Sequence, residues 1–155
     1  MNRLPQYRGR MGGKRLHFSL GRGSGPDPLP LLITHGWPGS VVEFLQVIEP
    51  LAHPERFGGD ARDAFTVVAP SLPGYGFSDP PDAPITPRDM AGTLHTPMPD
   101  LRGRERFGGQ GGEWGAVTTP GLGRGPPEAV AALHLDRAGP GPGGRGRHTP
   151  PRPGA

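Results

Sequence analysis

The sequence predicts an α/β fold built on a mostly parallel sheet with flanking helices, and three observations predict it. Two short apolar, partly β-branched runs, Leu31 to Ile33 and Phe65 to Val68, have the length and composition of strands buried on both faces of a sheet. Each ends abruptly in a Gly/Pro-dense turn, His35-Gly36-Trp37-Pro38 after the first and Pro70 to Ser78 after the second. Between them Val42, Leu45, Ile48 and Leu51 recur at helical spacing, so strand, helix and strand form a βαβ unit.

The remaining elements follow in chain order. Met1 to Gly13 is basic, and Pro5 disfavours early helix, so an extended lead-in is expected. Arg15 to Leu20 alternates, with Leu16, Phe18 and Leu20 on one face and His17 and Ser19 on the other, which suits a strand; Gly21 to Pro28 is a turn. Ser40 with Glu43 three residues later has capping-box spacing and opens a helix expected over Val41 to Leu51. His53 to Asp63, with Pro54, Gly58, Gly59 and several charges, is a surface loop.

Beyond Thr86 the signals conflict. A helix opening at Thr86-Pro87 meets Pro97 and Pro99, and each interior proline costs about 3 kcal/mol. Phe107 to Gly115, FGGQGGEWG, stands where the next strand and sharp turn belong, yet five of its nine residues are glycine, a poor strand composition. The helix expected after it contains Pro120, and Ala129 to Leu135 is the last strand candidate. Arg137 to Ala155 holds six Gly, five Pro and four Arg in 19 residues with no large apolar side chain, so it cannot bury enough to order itself. A GC-rich gene read out of frame would give such a tail.

Composition excludes several function classes. Glycine and proline, 28 and 23 of 155 residues, make up a third of the chain. There is no cysteine, hence no disulfide framework, thiolate nucleophile or cysteine metal site. No His, Asp and Glu grouping has metal-ligand spacing, so neither metal nor cofactor is expected. No run of about 18 apolar residues appears, so the expectation is a protein without membrane contact, cytoplasmic by default. The net charge of +3 comes from arginine, and the aromatic-free tail makes nucleic acid an unexpected partner. His17, His53 and His95 are expected as surface or cap residues, and Ser78 as a hydrogen-bonding turn residue.

Several segments together resemble the epoxide hydrolase family of the α/β-hydrolase fold, in its microsomal-type branch. These are LPQY near the start, LPLLITHGWPGSVVEFLQVIEPL, FTVVAPSLPGYGFSDPP, then GGQGGEWGAVTT and PEAVAALHL. The resemblance implies an incomplete α/β-hydrolase core, truncated, over residues 29–135, preceded at 1–28 by a lead-in like the end of that family's N-terminal region and followed at 136–155 by the disordered tail. It implies hydrolysis of a small-molecule epoxide to a diol through a carboxylate ester.

By the same resemblance the nucleophile position, Asp in the family's GGDWG, falls on Glu113. The backbone N–H groups of Trp37 and Trp114 match the oxyanion hole, and His35, Gly36 and Pro38 the pocket-forming turn. The extra methylene of Glu113 displaces an oxygen that must sit about 3 to 3.5 Å from the attacked carbon, which implies impaired or absent activity. The family's cap domain with its two tyrosines, the late acid and the late histidine have no match; Tyr7, Tyr75, His134 and His148 are not carried over. Two other readings remain open: another α/β-hydrolase with a carboxylate nucleophile, such as a haloalkane dehalogenase, and a non-catalytic degenerate fragment or pseudoenzyme.

Overall fold

A computed structural model describes residues 4–11, 13–95, 106–122 and 129–136. Six strands form one sheet: β1 (Gln6–Met11), β2 (Lys14–Gly21), β3 (Leu29–Thr34), β4 (Phe65–Pro70), β5 (Phe107–Gly111) and β6 (Val130–Leu135), in the order β1-β2-β4-β3-β5-β6. β4, β3, β5 and β6 run parallel, while β2 pairs antiparallel with both β4 and β1. The expected lead-in therefore includes a paired strand. Its six-residue register with β2 supplies backbone bonds that the polar sequence QYRGRM does not advertise.

Both faces of the central strands are covered, as their unbroken apolar runs require. On one face Leu16, Phe18, Leu20, Leu32 and Val68 join Leu72, Met90, Leu94 and Leu122. On the other, Ile33, Val67 and Ala69 meet Val41, Phe44 and Ile48. Neighbours such as Leu32 and Ile33, or Val67 and Val68, thus part to opposite layers, the period of two that defines a strand. Ile48 is wholly enclosed and sits over Gly21, where a Cβ would come within 2.5 Å of its Cγ2. Burying such a side chain contributes about 1.5–3 kcal/mol.

The continuous helix expected over Val41 to Leu51 is two pieces, a 3-10 turn at Val41–Phe44 and helix α1 at Ile48–Ala52. Pro50 explains the break: it has no N–H for the Gln46 carbonyl, and its ring would clash there, so it is tolerated only in the first turn of a new helix. Ser40 caps the first piece by accepting from the Val42 N–H (3.3 Å), while the Glu43 N–H bonds the Ser40 carbonyl. The capping box that does form is Thr86 with Asp89, at the start of α2 (Pro87–His95): the Asp89 carboxylate accepts from the Thr86 N–H (2.9 Å) and Thr86 Oγ1 accepts from the Asp89 N–H (3.3 Å). Pro97, Pro99 and the tail from Arg137 lie outside the described residues.

The glycine-rich segment is a strand after all, placed between β3 and β6. Its glycines are what let neighbours close in. A Cβ on Gly109 would stand 2.9 Å from Leu133 Cδ2, and one on Gly108 3.1 Å from Leu31 Cδ1. Helix α3 (Trp114–Leu122) follows despite Pro120, ending two residues beyond it. Burial of Ala116, Thr118, Thr119 and Leu122 offsets the proline's cost. Among the described residues no helix is long and apolar enough to cross a membrane.

His17 is not a surface residue: only 3% of it is exposed. Its Nε2–H donates to Gln6 Oε1 (2.6 Å), and its Nδ1 accepts from the Ser71 hydroxyl (2.9 Å), so the neutral ring joins β1, β2 and the turn after β4. Ser78 reinforces this joint, accepting from the His17 N–H (3.0 Å) and donating to the Ser71 carbonyl (2.7 Å). Burial, helped by Arg8, holds the His17 pKa below its ordinary value. The unfolded chain therefore binds a proton near pH 6.5 that the folded chain refuses, and stability present above that pH is lost as pH falls through it. Urea midpoints at about pH 7.5 and about pH 5.5 should show the drop, with a smaller drop in His17→Gln.

Candidate functional site

Only Gly112 and Glu113 separate β5 from α3. β5 ends at Gly111, and Glu113 then adopts φ 50°, the only positive φ at a non-glycine among the described residues, before α3 opens at Trp114. Left-handed backbone at a glutamate is strained by about 1 kcal/mol or more and persists only where surroundings impose it. Here they do. The Gly112 N–H donates to the Thr34 carbonyl (3.2 Å), and a Cβ on Gly115 would collide with that same oxygen. A Cβ on Gly111 would collide with Thr119 Oγ1 and with the Gly115 backbone. Thr34 Oγ1 bonds the Gln110 carbonyl and Thr119 Oγ1, each at 3.1 Å. The sequence Gly-Gly-Glu-Trp-Gly is thus small where chains touch and charged at the apex.

The turn after β3 lies beside this apex. His35 is fully buried; its Nε2 accepts from the Leu72 N–H (3.1 Å), its Nδ1 lies 3.4 Å from the Gly36 carbonyl, and Tyr75 stands edge-on to the ring at 5.0 Å. Burial lowers its pKa, the Gly36 carbonyl partly opposing this. His35 is therefore a neutral brace between the turns after β3 and β4. Trp37, joined to Pro38 by a cis peptide bond, points its side chain into solvent, 66% exposed.

A cleft of about 1120 Å³ opens where the covering segment Val41–Ala52 stops short of β5 and β6. Gly36, Pro38, Gly39 and Glu43 line one side, Gly112 and Glu113 the elbow, and Leu31, Ile33 and Phe44 the apolar floor. The structure thus brings Gly36, Pro38 and Glu113 together, with His35 behind them as support. The sequence reading missed Glu43, Gln110, His134 and Asp136, which also line the cleft. A signal existed: Ala132, His134 and Asp136 alternate at the end of a strand, and His134 stands in register with Gln110. Burial, then the nearby carboxylates of Asp136 and Glu113, push the Glu43 pKa up. Among the described residues no three His, Asp or Glu side chains are grouped to hold a metal ion.

A strained elbow of this kind, between a parallel strand and a helix and carrying a carboxylate, agrees with the comparisons with known proteins. The family described as "Epoxide hydrolase N terminus" matches residues 1–44, and "alpha/beta hydrolase fold" matches residues 30–103. A putative epoxide hydrolase of Stigmatella aurantiaca is 41% identical over 136 residues, 88% of this chain and 31% of the relative. This chain is similar to epoxide hydrolases. Epoxide hydrolase 1 of Oryctolagus cuniculus is 32% identical over 142 residues, 89% of this chain and 31% of its own length. The solved epoxide hydrolase of Aspergillus niger superposes with a TM-score of 0.75 at 33% identity, covering 89% of this chain and 35% of that one. The juvenile hormone epoxide hydrolase of Bombyx mori superposes with a TM-score of 0.74 at 30% identity. The fold is the α/β-hydrolase fold, and the chain spans about a third of the length of the relatives it matches.

Two opposed magnitudes decide a test of the elbow. Gly115→Ala gains up to about 1 kcal/mol of helix propensity, but its Cβ meets backbone that cannot move without breaking the Gly112–Thr34 bond. Overpacking of that kind costs about 1–3 kcal/mol. Net destabilisation is expected in urea unfolding, whereas Gly92→Ala, on the open side of α2 with nothing within 4 Å of its Cβ, should stabilise.

Proposed function

We propose that this chain carries the nucleophile site of an epoxide hydrolase, with the Glu113 carboxylate attacking a small-molecule epoxide at a rate reduced by its longer side chain. The observation that carries the proposal is Glu113 held at positive φ on the β5–α3 elbow, at the end of a cleft with an apolar floor. A carboxylate oxygen forms a bond to one epoxide carbon as the ring C–O bond breaks, and the ring oxygen takes a proton from solvent. Water then adds to the ester carbonyl, and collapse releases the diol and leaves the carboxylic acid, whose proton returns to solvent to restore the carboxylate.

Charge develops on the carbonyl oxygen of Glu113 during that second step. The Trp114 N–H, at the start of nine-residue α3, and the Trp37 N–H are the oxyanion donors of this reading, with the helix dipole adding to the first. Gly36 and Pro38 form the wall beside them, with buried His35 as their support. The tight braces on the elbow support the reading, because a preorganised donor set acts without rearrangement.

Replacement by aspartate tests it in the improving direction. Glu113→Asp shortens the arm and suits left-handed backbone better, so diol formation from an aryl epoxide should rise by about 100-fold. Glu113→Gln should abolish it with an unchanged far-UV circular dichroism spectrum. Equal rates in all three proteins would overturn the proposal.

A further inference from the structure

Gly36 has no side chain and Trp37 points its indole into solvent, 66% exposed, so neither side chain anchors the peptide unit between them. Glycine leaves its flanking peptides free to rotate. The unit is trans, the cis bond of the turn being Trp37–Pro38, and a planar trans peptide directs its carbonyl and its N–H to opposite sides. Whatever holds the Gly36 carbonyl therefore also aims the Trp37 N–H.

The His35 ring holds it. The ring is fully buried, and its Nε2 accepts from the Leu72 N–H (3.1 Å). A backbone N–H can only donate, so Nε2 carries no proton and the single proton of the neutral ring sits on Nδ1. That nitrogen is 3.4 Å from the Gly36 carbonyl oxygen, to which it donates. Leu72 is itself fixed: it is fully buried, the Tyr75 N–H donates to its carbonyl (2.9 Å), and the preceding Ser71 N–H donates to the His17 carbonyl (2.8 Å). Burial lowers the pKa of the ring and keeps it neutral. Gly39 also closes on the carbonyl, since a Cβ there would stand 3.2 Å from its oxygen. With the carbonyl so engaged, the N–H of the same peptide turns away from the ring, and Gly36 and Pro38, on either side of it, line the cleft.

We propose that His35 is a positioning residue for the Trp37 oxyanion donor, holding the Gly36 carbonyl through Nδ1–H so that the Trp37 N–H meets the Glu113 ester; this rests on the function proposed above. At 3.4 Å the bond is near the long limit. It acts by direction rather than by strength, because a peptide next to glycine has little of its own to choose between orientations. The turn after β4 thus governs the turn after β3 through the placement of one proton, and none of the groups that do so touches substrate.

Nuclear magnetic resonance of the nitrogen-labelled full chain tests the positioning. In wild type the ring nitrogen shifts should show Nδ1 protonated and Nε2 bare; the opposite tautomer would overturn the inference even if no variant folds. His35→Gln can still accept from the Leu72 N–H but places no donor at Nδ1, so dipolar couplings in an aligned medium should show the Trp37 N–H turned while β3 is unchanged. His35→Asn, whose Nδ2 stands near the place of Nδ1, should recover the direction lost in His35→Gln. An unturned Trp37 N–H in His35→Gln would overturn the inference. Its part in the reaction is read from the aryl epoxide adduct on Glu113, cleaved by added hydroxylamine, which needs no base from the protein. Cleavage should slow about 10- to 100-fold in His35→Gln, with adduct formation unchanged. Equal cleavage in the two proteins would overturn the role assigned to His35 while leaving Glu113 as nucleophile. No adduct in wild type, with native couplings, would instead overturn the function proposed above and this role with it.

Discussion

Thr34 is the pin on which the candidate site turns. It is fully buried at the end of β3, and its carbonyl fixes the elbow through the Gly112 N–H while setting the floor on which Gly115 rests. Its hydroxyl reaches both β5 and α3. One residue therefore locks two strands, a helix and the turn between them, and the positive φ of Glu113 is the consequence. The next residue, His35, extends the same construction to the turn after β4. Because these groups are enclosed and mutually bonded, the apex carboxylate is displayed by rigid scaffold rather than by a mobile loop.

The electrostatics of the cleft follow from what the scaffold leaves open. Glu43 folds toward Gly39, where a Cβ would lie 2.6 Å from its Oε2, and shares the cleft with Glu113 and Asp136. Burial first, and then the like charges of Asp136 and Glu113, push the Glu43 carboxyl above its ordinary value. An apolar floor with carboxylates at one end suits a neutral substrate that acquires charge only during reaction.

The sequence made legible those elements whose signals are local. β3 and β4 were readable because short apolar runs ended at turn residues, and the turns were readable from Gly and Pro. β5 was not, because the reason for its glycines is the approach of Leu31 and Leu133, distant in the chain, and the folding back of α3. The helix over Val41 to Leu51 was overextended because the apolar spacing ran straight through Pro50. His17 looked like the polar side of an alternating strand. Its burial depends on β1 and on Ser71, and nothing in QYRGRM marks a strand. Of the site, the HGWP turn and Glu113 were legible by resemblance, whereas His134 and Asp136 gain meaning only from the register of β6 against β5.

The central claim is that Glu113 becomes covalently bonded to substrate and is regenerated by water. One turnover in heavy-oxygen-labelled water, followed by mass analysis of the peptide containing Glu113, tests it most directly. Label in the Glu113 carboxylate is the predicted result, since water attacks the ester carbonyl. Label confined to the diol would mean that water attacks the epoxide itself, and would contradict the account.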